Sequence, residues 1–170
     1  MYEHLDKLPE ATLLQTLTPL TVAELDGARR TCPLLPEEYF AFLRERGAGM
    51  LQDDSFVILG GPMDAAREIY SDEQIYLDGP YEAGAKGPVW VFGNDSMGIT
   101  FGFDSGDSLR LVEIDNYRWV TRLGLTFAQF VEGLFVCHPQ IPHFYSDGRW
   151  FDSGGQAYSP PVSNAIPTRG

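Results

Sequence analysis

The sequence predicts one α+β domain built around an antiparallel meander of strands. Three observations lead there. Capped helical segments open the chain, a run of short apolar segments separated by glycine- and acid-rich turns follows, and another capped amphipathic helix comes after them. The length of 170 residues suits one domain, and a composition that is 44% hydrophobic and 13% aromatic can build a core.

The first helix starts at Thr21-Val22-Ala23-Glu24, the S/T-x-x-E pattern in which the threonine side chain and the glutamate satisfy each other's backbone donors, and runs to about Arg30. Cys32-Pro33 interrupts it, because proline lacks a donor and restricts the residue before it. A second helix follows over 35–47. Pro36 stands in its first turn, Glu37 and Glu38 at its positive end and Arg44 and Arg46 near its last turn, with Gly47 as the stop. Tyr39, Phe42, Leu43 and Arg46 form its stripe.

Residues 55–59 form a short apolar strand closed by Gly60-Gly61-Pro62, and 63–70 a short helix with Asp64 near its start. Residues 72–87 are polar and acidic and form a long surface excursion with Ile75, Tyr76 and Leu77 tucked in. Residues 89–92 make a second buried strand. Ile99, Phe101 and Phe103 alternate with Thr100, Gly102 and Asp104, the period of a half-buried strand. Residues 109–114 make another, with a phase slip at Leu111-Val112 that marks a bulge. Thr126 and Gln129 repeat the capping signature, and Phe127, Phe130, Val131, Leu134 and Phe135 fall on one helical face that ends near Cys137-His138-Pro139. The tail carries the aromatics Phe144, Tyr145, Trp150 and Phe151, which pack on the domain, and is loose from about Ser159. Phe103-Asp104-Ser105-Gly106 is echoed by Phe151-Asp152-Ser153-Gly154, reused turn chemistry rather than a repeat architecture.

The net charge of −12 is concentrated in the middle: residues 51–120 hold 13 acids against 4 bases, the first fifty 8 against 5, and the rest 3 against 3. This argues against direct nucleic-acid binding, which draws on lysine and arginine to neutralise phosphates; it fits a basic partner or, equally, acids that serve only solubility. No apolar run is long enough to span a bilayer. Acids near the N-terminus, where a signal peptide carries positive charge, predict a cytoplasmic chain. Cys32 and Cys137 are isolated and read as reduced thiols.

Tests for chemistry fail in turn. His4, His138 and His143 are the only histidines, and the Cys137-His138…His143 cluster is broken by Pro139 and Pro142 with no fourth ligand, so no metal is expected. A calcium loop starting at Asp104 would put Gly106 and Leu109 where a ligand oxygen and the turn glycine belong. Gly-x-Ser-x-Gly, phosphate-loop and dinucleotide motifs are absent, and no cofactor is expected. The distinctive stretch VWVFGNDSMGITFGFDSG reads as turn chemistry: Gly93, Asn94, Asp95 and Gly98 turn one strand into the next, and Asp104 and Gly106 do so for the following pair. A hydrolase using Asp95, Ser96 and Asp104 is the remote catalytic alternative.

The order of motifs resembles a known superfamily. Leu35-Pro36-Glu37-Glu38-Tyr39…Phe42-Leu43 ending in Gly47-Ala48-Gly49, then Val91-Phe92-Gly93-Asn94-Asp95-Ser96-Met97-Gly98 followed by Phe101-Gly102-Phe103-Asp104, then Thr126-Phe127-Ala128-Gln129-Phe130-Val131 are similar to the shared motifs of the SUKH superfamily. That superfamily includes a fungal regulator of cell-wall synthesis and many bacterial immunity proteins that neutralise polymorphic toxins, often nucleases or deaminases. The resemblance covers about 21–135, leaves 1–20 as a helical N-terminal extension and 136–170 as a proline- and glycine-rich, partly packed extension. It implies a central, mainly antiparallel sheet with helices packed on it. The function expected is non-catalytic: an immunity protein occluding the active site or substrate surface of a cognate basic toxin, with a regulatory interaction scaffold as the alternative. Candidate contacts are the acids Asp53, Asp54, Asp72, Glu73, Asp78 and Glu82, with Tyr76, Tyr81 and Trp119 as aromatic anchors.

Overall fold

A computed structural model of the chain describes residues 2–7, 14–52, 54–70, 84–136, 143–144, 150–151 and 157–158. Helix α1 (Val22–Thr31) begins with the full reciprocal cap: Glu24 N donates to Thr21 Oγ1 at 3.3 Å and Thr21 N to Glu24 Oε2 at 2.8 Å. Helix α2 (Glu37–Glu45) starts after Pro36, and helix α3 (Phe127–Val136) repeats the reciprocal cap between Thr126 and Gln129 at 2.9 and 3.2 Å. No described helix is long and apolar enough to cross a membrane.

Strands β1 (Gly49–Met50), β2 (Phe56–Asp64), β3 (Val89–Asp95), β4 (Thr100–Asp104), β5 (Arg110–Ile114) and β6 (Val120–Arg122) form one antiparallel sheet in chain order. The fold is therefore α+β, with helices packed on an antiparallel meander, as expected. Strands β7 (His143–Phe144), β8 (Trp150–Phe151) and β9 (Ala157–Tyr158) form a second, three-stranded antiparallel sheet.

One face of the large sheet meets the helices through an aromatic core. Phe92 lies 5.1–5.3 Å, ring centre to ring centre, from Phe103, Phe127 and Phe130, and Tyr39 of α2 lies 5.4 Å from Phe127. The other face carries Val89, Val91, Val112, Ile114 and Val120 and is covered by Ala65, Ile69 and Tyr70. Tyr2, Leu5, Leu14 and Leu17, in the stretch expected as an extension, are buried in the same core as the helices.

Four local expectations are corrected. The strand expected over 55–59 does not close at Gly60; β2 continues through Gly60, Gly61 and Pro62 to Asp64. Its register shifts between Ile58 and Met63, so Pro62 falls in an irregular stretch where its missing donor is tolerated. The helix expected over 63–70 is a five-residue π-helical turn, Ala65–Ile69, with Asp64 capping it through bonds from Ala66 N and Arg67 N. No bulge sits at Leu111-Val112: β4 and β5 pair in unbroken register, and both residues are buried because both sheet faces are covered. The α2 stripe widens to every residue from Tyr39 to Leu43, since Tyr2 closes over the far side with its ring 5.2 Å from Phe42.

Candidate functional site

Three hairpin turns meet at one end of the large sheet. Asp95 nucleates the β3–β4 turn: its Oδ1 accepts from Met97 N at 2.9 Å and Ile99 N at 2.8 Å, an Asx arrangement in which a short side chain replaces backbone acceptors. Gly98 adopts φ +87°, which the turn needs and other residues resist. Asp115 does the same for the β5–β6 turn, accepting from Tyr117 N at 2.8 Å and Trp119 N at 2.9 Å. The turns are tied to one another. Asn116 Nδ2 donates to the Met97 carbonyl at 3.1 Å, and Ser96 N donates to the Ser55 carbonyl, beside Asp54, at 3.0 Å.

This end displays large apolar groups to solvent. Met97 is 74% exposed, Tyr117 76% and Trp119 36%, and the Tyr117 and Trp119 rings lie 6.2 Å apart, tilted by 42°. Asp54 is exposed on the β1–β2 turn, on the far side of the β3–β4 turn from the aromatic pair, with a left-handed backbone. Among the described residues, the carboxylates at this end, Asp54, Asp95 and Asp115, outnumber the basic residue Arg118. The arrangement suits desolvation against a partner surface: rigid aromatics at low entropic cost, on an end of the sheet whose turns carry net negative charge.

The opposite end of the sheet holds a polar cluster. Asp104, fully buried, accepts from Lys86 N at 2.7 Å and Gly106 N at 2.9 Å. Asp107 accepts from Lys86 Nζ at 2.9 Å and Arg122 Nε at 2.7 Å, and these bonds, Lys86's first, hold its carboxyl below the usual aspartate range. Arg122 Nη2 also donates to the Gly84 carbonyl at 3.0 Å. Beside this cluster lies an open cleft of about 900 Å³ with Phe127 and Leu125 on its apolar side and Arg110, Arg122 and Asp107 on its charged side. Among the described residues no group of three or more His, Cys, Asp or Glu is arranged to hold a metal ion.

The structure separates the residues of the hydrolase alternative. Asp95 and Ser96 sit in the β3–β4 turn, while Asp104 ends β4, five residues long, about 16 Å away along the strand. Asp104 has both oxygens committed to backbone donors, which is the work of a structural cap. Gly93 and Asn94 lie in β3 and lead into the turn formed by Asp95 and Gly98; Gly106 lies in the single 3-10 turn after β4.

Of the expected contact residues, Asp54 and Trp119 come to the same end of the sheet. Asp53, Asp72, Glu73, Tyr76, Asp78, Tyr81 and Glu82 lie outside the described residues, as do Cys137 and His138. Sequence reasoning did not nominate Met97, Asn116 or Tyr117. A signal was present: Asp115-Asn116-Tyr117 is a turn between two strand patterns, and an aromatic at a hairpin tip has no sheet face to bury it. No family model, curated protein or solved structure matches the chain.

Proposed function

We propose that the chain is a non-catalytic immunity protein that binds a basic toxin and occludes its active site or substrate surface. The observation that carries this reading is the exposed Tyr117–Trp119 pair with Met97 at the turn end of the sheet, in a chain of net charge −12. Negative charge speeds association with a basic partner, and a few desolvated aromatics supply most of the affinity. The resemblance of the motif order to toxin-immunity proteins supports the choice of partner class, nuclease or deaminase, and the acids near the N-terminus support an encounter in the cytoplasm. No cofactor or metal enters the mechanism: inhibition is steric and electrostatic.

The test is affinity capture from the source lysate, followed by an activity assay on whatever survives a stringent wash. One stoichiometric basic protein whose enzymatic activity falls as this chain is added is the expected result. Several weakly bound host proteins, none of them inhibited, would instead indicate a regulatory scaffold and defeat the immunity reading.

A further inference from the structure

We infer that the turn end of the sheet recognises an arginine side chain on the surface of its partner, stacking the guanidinium on the Tyr117–Trp119 pair. The partner's identity as a toxin rests on the immunity reading above; the chemistry of recognition rests on this end of the molecule alone.

Asp115 sets up the geometry. Its Oδ1 receives both the Tyr117 and the Trp119 backbone N–H, so one carboxylate is held at the base of two exposed aromatic residues. A guanidinium suits such a place because its plane stacks on a ring face while its N–H groups donate to a carboxylate. The chain already contains this pairing. The Arg29 guanidinium lies 4.2 Å over the Phe40 ring while its Nη2 reaches the Glu37 oxygens at 2.8 and 2.6 Å. Among the described residues no cation lies over Tyr117 or Trp119, and Arg118, between them in sequence, is itself half-buried.

The surroundings fit the same occupant. Met97, on the β3–β4 turn next to this one, adds a polarisable apolar flank, and Asp54, one turn further along the sheet, adds an exposed carboxylate to the field of this end beyond the half-buried Asp115. Bonds from Asn116 to Met97 and from Ser96 to Ser55 fix the turns before a partner arrives, which lowers the ordering cost of binding. Phosphate-bearing ligands are disfavoured by Asp54, Asp95 and Asp115, and a second copy by the charge of −12 that it shares.

The test titrates the full chain with three capped tripeptides, acetyl-Gly-Xaa-Gly-amide, with arginine, lysine or citrulline in the middle, and follows the protein by nuclear magnetic resonance. The Trp119 indole N–H and the Met97 and Tyr117 amides should shift saturably with the arginine peptide while the Trp90 indole stays fixed. The lysine peptide should bind roughly two- to fivefold more weakly, and the isosteric, uncharged citrulline peptide should leave these signals in place. Tyr117→Ala should weaken arginine binding while the melting temperature holds, and Trp119→Ala should weaken it with a somewhat lower melting temperature but a folded amide spectrum, since part of its ring is buried. Equal shifts with arginine and citrulline, shifts centred elsewhere, or concentration-dependent dimerisation abolished by Trp119→Ala would each overturn the inference. The two readings fail separately. A neutralised toxin whose footprint avoids Tyr117 and Trp119 overturns the arginine site and leaves immunity standing; arginine recognition in a chain that inhibits no captured enzyme does the reverse.

Discussion

Asn116 donates its side-chain amide to the Met97 carbonyl at 3.1 Å and so couples the β5–β6 turn to the β3–β4 turn across β4 and β5. Gly98 stands under the same side chain: a Cβ there would lie 2.9 Å from Asn116 Oδ1, and its φ is +87°. The pair predicts a coupled effect. Asn116→Ala should destabilise by about 0.5–1 kcal/mol, the lower range for a hydrogen bond at an exposed site. Gly98→Ala should destabilise by at least about 1 kcal/mol through its left-handed backbone and the steric contact. In the double variant the contact with Asn116 is gone, so urea denaturation should show a combined loss smaller than the sum.

Tyr39 predicts a gain. Its ring is fully buried among Phe40, Phe92, Phe103 and Phe127, and its hydroxyl has no hydrogen-bond partner among the described residues. A buried hydroxyl without a partner gives up its hydration for nothing, so removing it recovers that loss. Tyr39→Phe should leave stability unchanged or raise it by about 1 kcal/mol, read as a higher denaturation midpoint. A loss above that size would reveal a partner for the hydroxyl and refute the account.

Much of this architecture was legible in the sequence because it is local. The reciprocal caps at Thr21–Glu24 and Thr126–Gln129 involve residues three apart, and the aromatic spacing of α3 is a helical period. What stayed hidden depends on contacts between distant segments. Gly60-Gly61-Pro62 reads as a terminator, yet β2 runs on through it with α1 packed alongside, a Cβ on Gly61 falling at ordinary contact distance, 3.6 Å, from Ala28 Cβ; the stretch is strand rather than turn. Leu111 and Val112 look like a phase slip only if one sheet face is assumed wet, and the turn Ala65–Ile69 with Tyr70 covers that face. The candidate site was half legible for the same reason. Trp119 stands out by composition, but its grouping with Met97 requires two turns distant in sequence to be brought to one end of the sheet.

Asp104 separates structural from catalytic roles. Its two oxygens each accept a backbone N–H, from Lys86 and from Gly106. In Asp104→Asn one of those donors would face an amide NH₂, so the substitution should destabilise by about 1–3 kcal/mol. If instead the variant kept full stability and lost a hydrolytic turnover measurable in the parent, the residue would be catalytic and the turn assignment would fall.

Asp107 predicts a pH dependence. Hydrogen bonds from Lys86 and Arg122 depress its folded-state pKa below the unfolded value of about 3.9. The deprotonated form is thus favoured by folding. Its contribution is fully present above about pH 4 and is lost as pH falls through the lower folded-state value. The side chain is 15% exposed and Arg122 only 7%, so the pair is largely shielded from salt. Asp107→Asn should lower stability at pH 7 and flatten the acid limb below pH 4; the part carried by the exposed Lys86 should shrink at high ionic strength while the part carried by the shielded Arg122 persists. An acid limb identical to that of the parent would assign the acid sensitivity to other carboxylates.

Asp54 predicts the kinetics of association. It is exposed beside the Ser55–Ser96 tie, its backbone already held at φ 59°, so reversing its charge disturbs no bond of its side chain among the described residues. Steering acts on the encounter, not on the fold. Asp54→Lys should therefore slow association with a basic partner by roughly two- to tenfold at low salt, with little change in dissociation and only a small drop in melting temperature, because lysine tolerates the left-handed backbone less well than aspartate. Raising the salt should bring the rates of parent and variant together, because exposed charges are screened beyond about 8 Å at physiological ionic strength. The same reversal at Asp72 and Glu73, which lie in the acidic stretch outside the described residues, should add to the slowing if the interface extends across both segments. Association that is independent of salt and indifferent to all three reversals would remove the acidic surface from the binding mechanism and leave the aromatic pair to account for it alone.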